Sequence, residues 1–333
     1  VSEEKAASPV RVWRWSYLTI PIVLIAAGVM DLGGMLLAIL FSLFALARLR
    51  ALLGGRKWAA VGLFVAVAAA LSYGAGYFAR ATARDLPDIV DKSAPAIVDW
   101  AKQHQINIPF TDYDSLKERI VTTARTEASY VGDAARLARG AAERILLVLV
   151  GIIVAIGIFL NLQPRIEPGA RIDPLTNLSE LAGTELRRRF AAFYGSFELI
   201  MGAQITIAAI NTLLTAIFVL VVGLPHAVVI IGVTFLCEML PVVGNLVSNT
   251  IIVCIAFTVS PRDALIALIF LVAIHKLEYF LNSKIVGHRI HLPIWMILLA
   301  LIVGEKLMGI TGMVLAPVAL HYVRTEAAAI PVA

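Results

Sequence analysis

Glu238 stands inside a long apolar stretch, at the head of the sequence Glu238-Met239-Leu240-Pro241-Val242-Val243-Gly244-Asn245. An acid surrounded by hydrocarbon is costly, and its usual reason for being there is to exchange a proton or hold a cation. Two blander readings stay open: an ion pair with Lys306, or an exposed position at the headgroups. Asn245, Ser248 and Asn249 follow the break. Broken helices expose backbone carbonyls and helix ends, and Asn side chains add neutral oxygens suited to sodium or a polyol. The competing reading of these residues is hydrogen bonding between helices. Gln204, Asn211 and Thr215 recur at i, i+7 and i+11, so they share one helix face, which either lines a polar path or joins helices. His275, Lys276, Glu278, Glu305 and Lys306 complete the ionisable set. His275 and Glu278 could relay protons, Lys276 reads as a snorkelling cation, and Glu305 and Lys306 face the same choice as Glu238.

Catalysis is not expected from this set. There is no His-Glu-x-x-His helix, and His275 with Glu278 lacks a second histidine at metal spacing. No Gly-x-Ser-x-Gly elbow occurs. Cys237 and Cys254 both lie in apolar runs and read as buried thiols, not as a disulfide or a metal site. No metal or cofactor is therefore expected. A scaffold or regulatory membrane protein is the remaining rival to a transporter.

The elements that position these residues are two interrupted apolar segments. The first begins at Gly223-Leu224-Pro225 and breaks at Pro241–Gly244. The second begins at Leu292-Pro293 and breaks within Gly304-Glu305-Lys306-Leu307-Met308-Gly309. Laid over each other without a gap, Leu224-Pro225 meets Leu292-Pro293, Gly244 meets Gly312, Glu238 falls on Lys306 and Pro241 on Gly309. Interrupted segments at matching places in two halves point to a transporter's binding region. Each arm has about 15 residues, about 22 Å of helix, short of a hydrocarbon core about 30 Å thick. Two hairpins are expected, 226–259 and 292–323, entering the bilayer from opposite faces with polar tips near the middle. Pro241, Gly244, Gly304, Gly309 and Gly312 are the expected turn or hinge residues.

Hydrophobic residues make up 60% of the 333 and charged ones 15%, and the mean hydropathy is +0.87. Soluble domains carry about 25% charged residues, so this composition predicts an all-helical polytopic membrane protein of about eight spanning or re-entrant elements. The net charge of +5 is read through loop placement. Without a basic block interleaved with aromatics, no nucleic-acid partner is expected. Lys5, Arg11 and Arg14 precede apolar residues without a small-residue cleavage site, which reads as an uncleaved insertion signal.

Taken in order, residues 1–83 read as membrane helices: a tight pair around Asp31-Leu32-Gly33-Gly34, then a full span from Trp58 to Ala79. Gly62, Gly74 and Gly76 in that span would permit close helix contact. Residues 84–140 balance acids and bases and read as an extracytoplasmic helical hairpin continuing its flanking helices. It breaks at Asn107-Ile108-Pro109-Phe110, and a Ser115–Glu118 capping box opens its second helix. Residues 141–198 supply a span, a Pro/Gly break at Pro164–Pro174, and a polar helix. Its Arg187-Arg188-Arg189 triplet is either a topology signal or a grip on anionic lipid. Residues 199–326 form the core, with Ser260-Pro261-Arg262-Asp263 as an outer loop and Lys284, His288 and Arg289 in a basic inner one. Residues 327–333 are a tail. Basic flanks place both termini on the cytoplasmic side of the membrane.

The last third resembles the autoinducer-2 exporter family. The matching residues are Gln204, Gly223-Leu224-Pro225, Leu240-Pro241-Val242-Val243-Gly244, Glu278 with Leu281, and Lys284-Ile285-Val286-Gly287 leading to His291-Leu292-Pro293. Gly304, Gly309-Ile310-Thr311-Gly312-Met313 and Pro317 complete the set. The first half is similar in layout only. Glu238 and Asn245 depart from the residues usual in the family beside the proline-glycine turn. The resemblance implies export of a small hydrophilic signal molecule, or sodium(lithium)/proton antiport, by a homo-oligomer. Its partners would be the lipid bilayer, a small polar solute, and H+ or Na+.

Overall fold

The computed structural model describes residues 16–103, 134–161, 178–240, 243–285 and 293–328. Among them there is no strand. Ten helices follow in order: α1 (Thr19–Val29), α2 (Gly33–Leu52), α3 (Lys57–Gln103), α4 (Ala134–Asn161), α5 (Leu178–Val222), α6 (Ala227–Glu238), α7 (Val243–Val259), α8 (Pro261–Ile285), α9 (Ile294–Met308) and α10 (Ile310–Ala328). Four stretches are long and apolar enough to cross a bilayer: Gly33–Leu52, Lys57–Thr82, Ala142–Asn161 and Ala182–Val222. Their outward faces carry large apolar side chains such as Leu71, Ile153 and Leu220. Only hydrocarbon can solvate such faces, and every backbone group within a helix is satisfied internally. The chain is an all-helical, multi-pass integral membrane protein.

Local chemistry sets the breaks. Asp31 takes a left-handed backbone (φ 54°) and separates α1 from α2. Gly223 (φ 76°) ends α5, and Pro225, which cannot continue a ladder, follows it. His226 (φ 57°), a non-glycine residue in the left-handed region, then opens α6. Gly309 (φ 59°) alone separates α9 from α10.

The helix of the Trp58–Ala79 span runs on through Gln103 as α3, the continuity expected from the sequence. Several other boundaries differ from the sequence reading. The polar helix bearing Arg187–Arg189 and the span after it are likewise one helix, α5, because no proline interrupts them. Ser260–Asp263 is not a loop. Pro261 starts α8, and the Ser260 hydroxyl caps it, accepting from the Asp263 backbone N–H at 3.0 Å and donating to the Asp263 carboxylate at 2.7 Å. Glu305 and Lys306 belong to α9, and Gly304 is helical too, so the second break is a single residue. Asn107–Phe110, Ser115, Glu118, Pro164–Pro174, His288 and Arg289 lie outside the described residues.

By its internal packing the chain divides into two compact units: Val1–Val65, Ile145–Gly202 and Arg289–Ala333 form the first, Ala66–Arg144 and Ala203–His288 the second. In lipid, burial of apolar surface gives little drive, so helix packing leans on small residues that let backbones approach. In the first unit Gly151 of α4 lies against the Met35 carbonyl of α2, where a Cβ would sit 2.7 Å from that oxygen. A Cβ on Gly28 would sit 2.9 Å from the Leu307 carbonyl oxygen, and one on Gly33 would sit 2.9 Å from the Thr311 side-chain methyl. Gly62, Gly74 and Gly76, expected to be contact glycines, have nothing within 4 Å among the described residues. Leu46, Ala60, Phe64 and Phe159 form an apolar cluster of this unit. In the second unit Val219, Ile230, Ile252, Ile255 and Ala267 pack together, and Phe218 stacks on Phe270 with ring centres 4.1 Å apart.

Candidate functional site

The second unit gathers most of the polar residues singled out in the sequence. Glu238 is the last residue of α6 and is 5% exposed. It faces the negative end of its own helix dipole. Gln204 of α5 donates its amide N–H to the Glu238 backbone carbonyl, satisfying one of the orphan acceptors at that helix end. Two turns further along the same face, Asn211 is fully buried. Its amide lies beside the Glu238 carboxyl, but neither amide atom makes a bond of ordinary geometry among the described residues. Thr215, one more turn along, is also buried. The shared face inferred from the i, i+7, i+11 spacing is therefore real, and it packs inward.

A second carboxylate stands close enough to Glu238 to act on it electrostatically. This is Glu278 of α8. Asn245 in the first turn of α7 donates to the Glu278 carboxylate at 2.8 Å, and His275 Nδ1 lies 3.6 Å from the same oxygen. Ser248 is buried and donates to the Asn245 carbonyl at 3.4 Å. Among the described residues no lysine or arginine pairs with Glu238 or Glu278. Two acids, two asparagines, a glutamine and a histidine thus converge in a unit otherwise packed with apolar side chains. Asn249 and Lys276 stand aside from this cluster, along a cleft of about 680 Å³ between α7 and α8 that His275 also lines.

The turn that brings α6 onto α7 depends on Gly244. A Cβ there would fall 1.7 Å from the Cys237 carbonyl oxygen, so no side chain fits. Pro241 lies outside the described residues. The second hairpin, in the first unit, uses the same device. A Cβ on Gly312 would meet the Gly304 carbonyl oxygen at 1.8 Å, and one on Gly304 would meet the Gly312 carbonyl at 2.4 Å. Gly304 and Gly312 are thus contact glycines within α9 and α10, and Gly309 alone turns the chain. Lys306 is exposed and pairs with its neighbour Glu305 at 3.4 Å. Glu238 belongs to the second unit and Lys306 to the first.

Two constellations escaped the sequence reading. In the first unit Arg189 is 1% exposed. It donates to Ser16 Oγ at 3.1 Å and to Glu185 at 3.2 Å, pairs with Glu326, and lies over the Tyr17 ring at 3.6 Å. The i, i+4 spacing of Glu185 and Arg189 was its only local signal. In the second unit Asp85 of α3 meets His226 Nδ1 at 3.1 Å and Arg84 at 2.9 Å. The Arg84 guanidinium, and after it His226, hold the Asp85 carboxyl below its ordinary value. No sequence pattern joins residues 85 and 226.

Comparison with known proteins agrees with a membrane carrier. YdbI of Bacillus subtilis (strain 168), which carries only a provisional name as a transport protein, is 30% identical over 131 residues. That match covers 37% of this chain and 37% of YdbI. The family model described as AI-2E family transporter matches residues 18–329, both described hairpins and the polar cluster included. The chain belongs to the AI-2E transporter family.

Proposed function

We propose that the protein carries a small polar solute across a bacterial cytoplasmic membrane, exporting an autoinducer-2-like signal, and that Glu238 with Glu278 couples this movement to protons or sodium. The observation that carries the reading is buried Glu238, whose carboxyl lies beside Asn211 and within electrostatic reach of a second acid, with no lysine or arginine pairing with it among the described residues. Two carboxylates within electrostatic reach of each other repel, so a proton or a monovalent cation held at the pair relieves the repulsion. Asn211 and Asn245 offer amide oxygens and N–H groups to the same space. Loss of the bound ion would restore the repulsion and favour a different arrangement of the helices, which is how an ion gradient does work on a carrier. The paired glycine contacts at Gly244 and Gly312, positions matched by the register of the two hairpins, support the reading of an internal repeat.

The test is solute flux in proteoliposomes holding the purified protein under separate proton and sodium gradients. Glu238→Gln keeps the shape and removes the ionisable group. Gradient-driven flux should fall at least about tenfold, about 1.4 kcal/mol in the coupled step, while thermal unfolding in micelles stays within the wild-type range. Flux unchanged by this substitution removes Glu238 from the mechanism. Sodium-dependent proton movement without any added solute would favour antiport instead.

A further inference from the structure

We propose that the cleft between α7 and α8 seats an anionic phospholipid, with an acyl chain along its apolar wall and its phosphate at the Lys276 end. The cleft holds about 680 Å³, within the range of small-molecule sites. Its wall is apolar: Val253 and Cys254 from α7, Leu268, Leu271 and Val272 from α8. From Leu268 to Lys276 the lining runs about 12 Å along α8, a length that an acyl chain covers readily. The polar residues sit together at one end: Asn249, Thr250, His275 and Lys276. This is the layout of an amphiphile, tail and head on one axis.

Charge decides which amphiphile. Lys276 is exposed and Asn249 half-buried, and neither the ammonium nor the amide has a partner among the described residues. Both are hydrogen-bond donors facing one end of the cleft. Glu278, two residues further along α8, is already engaged by Asn245 and His275. Thr250 spends its hydroxyl proton on the Leu246 carbonyl at 2.7 Å, so it offers an oxygen only. A phosphodiester without a compensating cation fits a lone ammonium and an amide N–H. A choline headgroup brings its own positive charge and loses most of that attraction. The lipid favoured is therefore of the phosphatidylglycerol type. The inference does not depend on which solute is carried.

The experiment uses the full chain in phosphatidylcholine nanodiscs doped with a phosphatidylglycerol bearing a photoactivatable acyl chain, or with the matching phosphatidylcholine probe. Cross-linked peptides are mapped by mass spectrometry. The phosphatidylglycerol probe should mark peptides 249–254 and 268–276 about fivefold more than the phosphatidylcholine probe, the preference expected of one lysine near an anionic headgroup. Lys276→Gln should abolish the preference, and Arg262→Gln, an exposed cation at the other end of α8, should leave it. Val272→Trp, which fills the cleft and keeps the charge, should cut labelling by both probes. Equal labelling by the two lipids, a preference that survives Lys276→Gln, or cross-links to a second copy at these peptides would each overturn the proposal.

Discussion

Replacing Arg189 by alanine should be among the most damaging single changes in the first unit. The guanidinium is 1% exposed and lies between Glu185 and Glu326, whose side chains are 8% and 13% exposed. Ser16 accepts a third bond, and the Tyr17 ring covers the flat face. Truncation leaves two poorly solvated carboxylates facing each other without their cation. Breaking a buried pair on one side costs about 3–5 kcal/mol, whereas an exposed pair is worth about 0–1 kcal/mol. A loss of 3 kcal/mol is about a 160-fold change in the unfolding equilibrium. The assay is reversible unfolding in mixed micelles, followed by tryptophan fluorescence, with Arg187→Ala as the exposed neighbour. Adding Glu185→Gln and Glu326→Gln to Arg189→Ala should recover part of the loss by removing the stranded charges. If Arg189→Ala costs no more than Arg187→Ala, the buried ion cluster is not a stabilising element and the triplet acts on topology or lipid alone.

Three further outcomes follow from the packing and the charges. Gly312→Ala should destabilise by about 1–3 kcal/mol or more, because the added methyl meets a backbone carbonyl that cannot rotate away; Gly202→Ala, whose nearest neighbour is the Phe44 ring at 3.6 Å, should be far milder in the same unfolding assay. Ser260→Ala should cost about 1 kcal/mol through loss of the α8 cap, and a neutral result would show that Pro261 alone starts that helix. For Asp85 the depressed folded-state value means that its pairing contributes stability above the ordinary carboxyl value, lost as pH falls through the folded one. Carboxyl carbon NMR should show the Asp85 midpoint rising in His226→Ala and rising further in Arg84→Gln, whereas an unmoved midpoint in both denies the pairing.

What the sequence makes legible here is polarity out of place and breaks in helix. Glu238, Gln204, Asn211 and Thr215 are conspicuous because they interrupt apolar runs, and helical spacing puts the last three on one face. Gly223-Leu224-Pro225 and Gly309 break helices for reasons of backbone geometry that act locally. Contacts between distant residues are another matter. Asn245 and Glu278 are brought together by the turn at Ser260, and nothing in either neighbourhood names the other. Arg187, Arg188 and Arg189 look alike in a string of letters; the rotation of α5 against its neighbours leaves two exposed and buries the third. The same rotation explains the glycines, since Gly62, Gly74 and Gly76 fall on open faces while Gly28, Gly33 and Gly151 meet other helices. The Glu305-Lys306 dipeptide reads as a break by its charge, yet neither residue disfavours helix, and α9 continues to Met308.

Where Gly304 touches Gly312, main chain rests on main chain with no cushion of side-chain atoms between them. Helices that slide past each other in a working cycle do so by letting side chains switch rotamers. Here there are none to switch. The two arms of this wedge must therefore travel as a single stiff piece, and any bending has to be taken up at its roots. Nor can the seam drift by stepwise mutation, since a methyl group on either partner needs both backbones to part before it can be accommodated.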